Sequence, residues 1–217
     1  MSAHDLSNLG AGFSHEAFGS QAMFRVALDA LSHPGRCMTV SHDAEVPQTG
    51  HPASAALLLA LLDSDCTLWL SPSLANSDAA AWLRFHTGCQ LVTQADQAMF
   101  AWVAAGDAMP ALTSFSQGSD NAPDQSATCV LDLPLLDANA ANAVSETSES
   151  GAAQWALKGP GIQDVHHLTV DGLAADFLVQ WTANHASFPR GVDLFLASAQ
   201  QLVGLPRTTS IQLSGGL

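Results

Sequence analysis

Apolar positions along this chain follow two periods, and the periods alternate. Ala17, Phe24, Ala27, Leu28 and Leu31 recur at helical spacing, which predicts a helix from Ser14 to about Leu31 with those residues as its core face. Ser14 serves as its N-cap, and Glu16 lies in the first turn, where the helix dipole favours an acid. Arg25 and Asp29 form an i,i+4 pair beside the core face. Pro34-Gly35 ends the helix, and residues 36–40 read as a short strand. His51-Pro52 opens a second helix, and residues 55–62 are apolar on all sides, which predicts full burial. Asn76, Ser77 and Asp78 offer caps for a third helix ending near Phe85, with Gly88 as its stop. A fourth runs over residues 173–183 with a Leu173, Phe177, Trp181 stripe. Between these lie short apolar or alternating runs at 67–70, 91–92, 99–103, 128–133, 154–157, 192–196 and 202–205, each read as a strand. Residues 162–168 return beside 154–157, and residues 106–115 hold at most one helical turn. Residues 116–125 form a polar loop.

Strands alternating with helices imply an α/β fold in three layers, a mixed sheet with helices on both faces. Residues 1–13, polar and Gly-rich, form a loose N-terminal arm, and 14–217 make a single domain without internal repeats. Residues 137–151, rich in Ala, Asn, Ser and Glu with no apolar period, form a mobile surface loop.

Composition narrows the function classes. The chain has 217 residues, 47% of them apolar, enough to bury one sizeable core. Six cationic side chains face twenty carboxylates, for a net charge of −14. A groove for a nucleic-acid backbone needs a basic stripe, and an anionic membrane surface needs a basic patch; six cations supply neither. No apolar run is long enough to span a bilayer, and the N-terminus has no basic-then-apolar leader. Cys37, Cys66, Cys89 and Cys129 show no Cys-x-x-Cys spacing, so we expect reduced thiols, no metal site and a cytoplasmic location.

The cations sit at turns, where solubility alone would not place them. Arg84-Phe85-His86-Thr87-Gly88 ends a helix. Arg84 and His86 there either complement the helix dipole or, with Thr87, form an anion or partner site. Lys158 opens Lys158-Gly159-Pro160-Gly161, whose missing Pro N–H and spacing favour a plain turn. Arg190 in Phe188-Pro189-Arg190-Gly191-Val192-Asp193 either pairs with Asp193 or contacts a ligand. Arg207 in Leu205-Pro206-Arg207-Thr208-Thr209 follows a strand, a position suited to a carboxyl-end crevice with Thr208 beside it, or to tying down the C-terminus. Adjacent His166 and His167 face opposite sides of a strand, which argues against a shared metal. Lys158 is the single lysine and a poor Schiff-base candidate, so no cofactor is expected.

Six segments in series resemble the PhnH family, the H subunit of the bacterial carbon–phosphorus lyase system. They are Phe24-Arg25 with Leu28 and Leu31-Ser32-His33-Pro34-Gly35; Leu62-Asp63 with Trp69-Leu70-Ser71; Leu83-Arg84-Phe85-His86-Thr87; Gly159-Pro160-Gly161-Ile162; the Phe188 to Asp193 segment; and the Leu205 to Thr209 segment. The resemblance implies a cytoplasmic subunit of phosphonate catabolism, homodimeric and joined to the G, I and J subunits. That assembly couples phosphonate to ribose triphosphate from ATP, then breaks the carbon–phosphorus bond. It implies a supporting subunit of this ribose 1-methylphosphonate 5-triphosphate synthase and lyase complex, with no catalytic residue of its own assigned. It also implies a fold like the large domain of pyridoxal-phosphate transferases without the cofactor. From the residues alone, an independent anion- or nucleotide-binding enzyme with His86 as acid/base near Arg84, or a sensor of phosphorylated small molecules, stays open. On either reading Arg84, His86, Thr87, Arg190, Arg207 and Thr208 are the candidates for anion or subunit contacts.

Overall fold

A computed structural model describes residues 9–137 and 152–214. In chain order the elements are α1 Glu16–Ser32, β1 Met38–Thr39, α2 Pro52–Leu61, β2 Thr67–Leu70, α3 Pro72–Ala75, α4 Asp78–Thr87, β3 Gln90–Val92 and β4 Phe100–Val103. There follow β5 Thr128–Asp132, β6 Leu135–Asp137, β7 Ala153–Lys158, β8 His166–Asp171, α5 Phe177–Ala186, β9 Asp193–Ala197, β10 Gln201–Leu205 and β11 Ser210–Leu213. The main sheet has the order β1-β10-β9-β5-β4-β2-β3. From β9 to β3 its strands run parallel, whereas β10 returns antiparallel to β9 and β1 antiparallel to β10. A second sheet, β11-β7-β8-β6, is antiparallel throughout.

The two-residue period of the strands divides the interior into two cores. Trp102, Val130, Phe195 and Ala197 point toward α1, α2 and α4. Their neighbours Ala101, Val103, Cys129, Leu131, Leu194 and Leu196 point the other way, onto Trp155, Leu157, Leu168, Phe177 and Trp181. The mixed sheet is therefore as expected, but helices alone cover only one of its faces. The second face is covered by the small sheet together with α5. Alternation in β7, with Trp155 and Leu157 buried between more exposed neighbours, shows one apolar face without saying what it packs on.

Helix α1 departs from its expected face. Met23, Ala27 and Ala30 are buried, while Phe24 and Leu28 are 49% and 52% exposed. The cause is close packing on β10: a Cβ at Gly204 would lie 2.4 Å from the Ala30 carbonyl oxygen, so only small residues fit along that contact. Nor does Ser14 cap the helix. His15 occupies the N-cap position without a side-chain bond, and Ser14 Oγ donates to Asp43. Asp29 pairs with His33 at 2.9 Å, where the sequence pattern offered Arg25. Helix α4 follows expectation: Ser77 Oγ accepts from the Ala79 N–H, and Gly88 takes the left-handed conformation at φ 75°. Helix α5 starts at Phe177, so Leu173 lies in the preceding loop.

Residues 9–13 of the expected arm are docked. The Gly10 carbonyl accepts from Trp82 Nε1 and His86 Nε2, each at 2.9 Å, and the Ala11 N–H donates to Glu45 Oε2. Residues 1–8 and the loop expected beyond Asp137 at 138–151 lie outside the described residues. No disulfide joins the four cysteines; Cys66, Cys89 and Cys129 are buried. Among the described residues, no helix is long and apolar enough to cross a membrane.

Candidate functional site

The parallel strands end together, and a cavity of about 480 Å³ opens beyond the carboxyl ends of β4 and β5, where open α/β sheets commonly bind ligands. Val103, Leu131, Met109 and Phe177 supply apolar lining, and Asp107, Asp132, Asp176 and Gln180 supply polar groups. Its residues come from the loop after β4, the end of β5 and the start of α5. At its floor Asp132 is 4% exposed. One carboxylate oxygen accepts from the His51 N–H at 2.8 Å; the other accepts from Ser54 Oγ at 2.5 Å and Trp102 Nε1 at 3.0 Å. Burial pushes the Asp132 pKa up, and its hydrogen bonds from Ser54, Trp102 and His51 pull against that. The carboxylate joins β5 and β4 to the N-terminus of α2, where the free N–H groups and the dipole favour an anion. His51 Nε2 completes the join with a 3.0 Å bond to the Leu133 carbonyl.

The other acids at the mouth are also engaged. Asp107 accepts from the Ser73 N–H at 2.8 Å and Ser73 Oγ at 2.6 Å, and the Ser73 hydroxyl holds its pKa below the usual carboxylate range. Asp176 accepts from Gln180 Nε2 at 2.8 Å, while Gln180 Oε1 receives the Leu112 N–H at 2.8 Å. Among the described residues, no Lys or Arg lines this crevice. With three acids around it, it disfavours free phosphate and suits a neutral or cationic group, such as a side chain of a partner protein. Sequence reasoning missed Asp132. The available signal was an acid closing the run Thr128-Cys129-Val130-Leu131-Asp132-Leu133, where every neighbour is apolar or small.

None of the six residues singled out from the sequence lines this crevice. Arg84, His86 and Thr87 lie at the end of α4. His86 holds the Gly10 carbonyl and stacks edge-on against Trp82 and Phe85. Thr87 Oγ1 donates to the Leu83 carbonyl at 2.7 Å and accepts from the Cys89 N–H at 3.2 Å, a C-terminal cap. Arg84 remains exposed on the last turn. Arg190 is half-exposed and pairs with Asp120 at 3.3 Å.

Arg207 is 8% exposed and committed. Its Nε and one terminal nitrogen grip both oxygens of Asp193; the terminal nitrogens also donate to the Pro123 and Pro189 carbonyls and to Ser126 Oγ. Those bonds use all five guanidinium N–H groups, leaving none for an anion. The carboxyl-end placement also fails, because β10 runs against the parallel strands. Leu205 pairs with Leu194, so Arg207 emerges at their amino ends, beside the start of β9. Thr208 is half-buried, its carbonyl pressed against Gly159. Between the α4 end beside β3 and the Arg207 clamp beside β9 lie four strand spacings, about 19 Å. The structure thus brings Arg84, His86 and Thr87 together, links Arg190 to Arg207 through Pro189, and keeps the two groups apart. Among the described residues, no group of His, Cys, Asp or Glu is arranged to hold a metal ion.

A family model described as bacterial phosphonate metabolism protein (PhnH) matches residues 11–212. A Rhizobium meliloti protein, alpha-D-ribose 1-methylphosphonate 5-triphosphate synthase subunit PhnH, is 34% identical over 200 residues, 92% of this chain and 94% of its own length. A Stutzerimonas stutzeri protein, putative C-P lyase subunit protein HtxG, is 32% identical over 195 residues, 90% of this chain and 87% of its own. The match runs from the docked N-terminal segment through β11 and takes in both sheets and the crevice, so this chain belongs to the PhnH family of bacterial phosphonate metabolism proteins.

Proposed function

We propose that this chain is a subunit of the carbon–phosphorus lyase system and supports assembly of the complex that couples phosphonate to ribose triphosphate before bond cleavage. The carrying observation is the end-to-end match to a synthase subunit of the same length class. The site chemistry supports it: an acid-rimmed, partly apolar crevice without cations fits a protein partner better than a free phosphonate. Working as a cytoplasmic homodimer with the G, I and J subunits belongs to the same reading, as does a fold related to the large domain of pyridoxal-phosphate transferases without their cofactor. Of the cations singled out from the sequence as contact candidates, exposed Arg84 and half-exposed Arg190 are available for subunit contacts.

The test is a tagged pull-down from source cells growing on a phosphonate, read by mass spectrometry. Stoichiometric recovery of the G, I and J subunits is expected. Recovery of the chain alone, with those subunits expressed in the same cells, overturns the reading.

A further inference from the structure

Two turns far apart in sequence are pressed together at the end of α1, and glycine is required on both sides. Gly161, at φ 83°, leaves no room for a Cβ, which would lie 2.2 Å from the Ser32 carbonyl oxygen. Gly35, also at φ 83°, faces Leu157 Cδ1 at 2.3 Å and His166 Cδ2 at 2.9 Å from its would-be Cβ. This packing gathers His33, Arg36, Gly161, Gln163, Asp164 and His166 around a hollow of about 250 Å³.

The hollow carries a guanidinium without a carboxylate partner among the described residues, beside two imidazoles. Arg190 and Arg207 have carboxylate partners. The Arg36 N–H donates to the His33 carbonyl at 3.1 Å, while its side chain is exposed and shows no ion pair among the described residues. His166 Nε2 is closed off from solvent and has no partner there either. His33 adds a second imidazole, held at its Nδ1 by Asp29. Asp164 and Asp29 are the carboxylates on this side, while His167 faces away and contacts Ser214. Burial, with the charge of Arg36 adding to it and the Gly35 backbone opposing, holds the His166 pKa below the usual imidazole range.

We propose that this hollow binds a tetrahedral oxyanion, a phosphate or phosphonate group, through the Arg36 guanidinium, the His33 and His166 imidazoles and the Gln163 amide. A guanidinium fork and imidazolium N–H groups are the donors suited to such an oxyanion. The proposal stands apart from the subunit reading, since it is measured on the isolated chain.

The experiment is calorimetric titration of the purified full chain with sulfate, which stays dianionic across the imidazole range, at about pH 5.5 and about pH 8. Saturable binding is expected, tighter at the lower pH. Arg36→Gln should weaken it about tenfold or more. His166→Asn should reduce its pH dependence, and Arg25→Gln, an exposed cation elsewhere on α1, should leave binding unchanged. Absence of saturable binding at both pH values, or equal binding by Arg36→Gln, overturns the proposal. Sulfate loss caused equally by Arg25→Gln would show a general charge effect and overturn it as well.

Discussion

Arg207 illustrates how a residue type and its position suggest a ligand while its surroundings assign it to the frame. Its guanidinium ties the start of β9, the Pro123–Ser126 segment and the Phe188–Pro189 turn into one knot. Arg207→Gln should cost about 3 kcal/mol, because Asp193 is left without its charge partner. Arg207→Lys should recover little of that loss, since a point charge cannot reproduce five forked donors. Urea unfolding of the three proteins decides this; a variant as stable as the parent would return Arg207 to the list of surface contacts. Asp132 makes the converse case, an acid that reads as unremarkable and turns out to hold two layers together. Asp132→Asn keeps the shape but exchanges one acceptor oxygen for a donor, so a loss of about 1–3 kcal/mol is expected. Its folded pKa is raised from 3.8 by burial, so its contribution is fully present below that value and is lost as pH rises through the folded pKa. The stability difference between parent and Asp132→Asn should therefore shrink with rising pH across the carboxylate range, as read from denaturation curves. His166 acts in the opposite direction along the pH axis. Its lowered pKa means that folding resists protonation, so stability is lost as pH falls below about 6.5 toward the folded pKa.

At the scale of elements, the apolar periods located nearly every helix and strand, and the errors concentrate where one element touches another. Strand β2 and the Ser77-capped α4 lie where pattern and capping chemistry placed them. The face of α1 was misread because large apolar residues ordinarily mark the buried side, whereas here Ala27 and Ala30 are buried, Ala30 against Gly204, and the larger Phe24 and Leu28 face outward. Gly204→Ala should push α1 from β10 and destabilise the protein by about 1–3 kcal/mol. A thermal melt measures it, and an unchanged transition would mean that α1 yields without cost. The pairing of β10 is a second such case. Strands at 192–196 and 202–205 were legible, but the consequence of their pairing was not: antiparallel return carries Arg207 to the amino end of the parallel strands. The β11 strand was missed because Ser210-Ile211-Gln212-Leu213 is too short to signal by itself and exists by pairing with β7.

For the whole molecule, a net charge of −14 against three ion pairs among the described residues makes repulsion between carboxylates the dominant long-range term. Added sodium chloride up to about 0.3 M should therefore raise the melting temperature, since screening at that strength shortens the reach of repulsion to within about 6 Å. A fall on adding salt would mean that the few ion pairs outweigh the repulsion. The sequence by itself determined the alternation of strands and helices, the mixed sheet, the reduced cysteines and, through six motifs in order, the PhnH family. These depend on local period, backbone chemistry and residue order, which the chain carries wherever it folds. Only the tertiary structure decided that a second sheet covers one face, that Asp132 anchors α2, and that Arg36 and His166 line one hollow beside the Gly35 contact. Each of those depends on segments many residues apart approaching to a few ångströms, and such approach is set by packing and strand pairing across the whole fold.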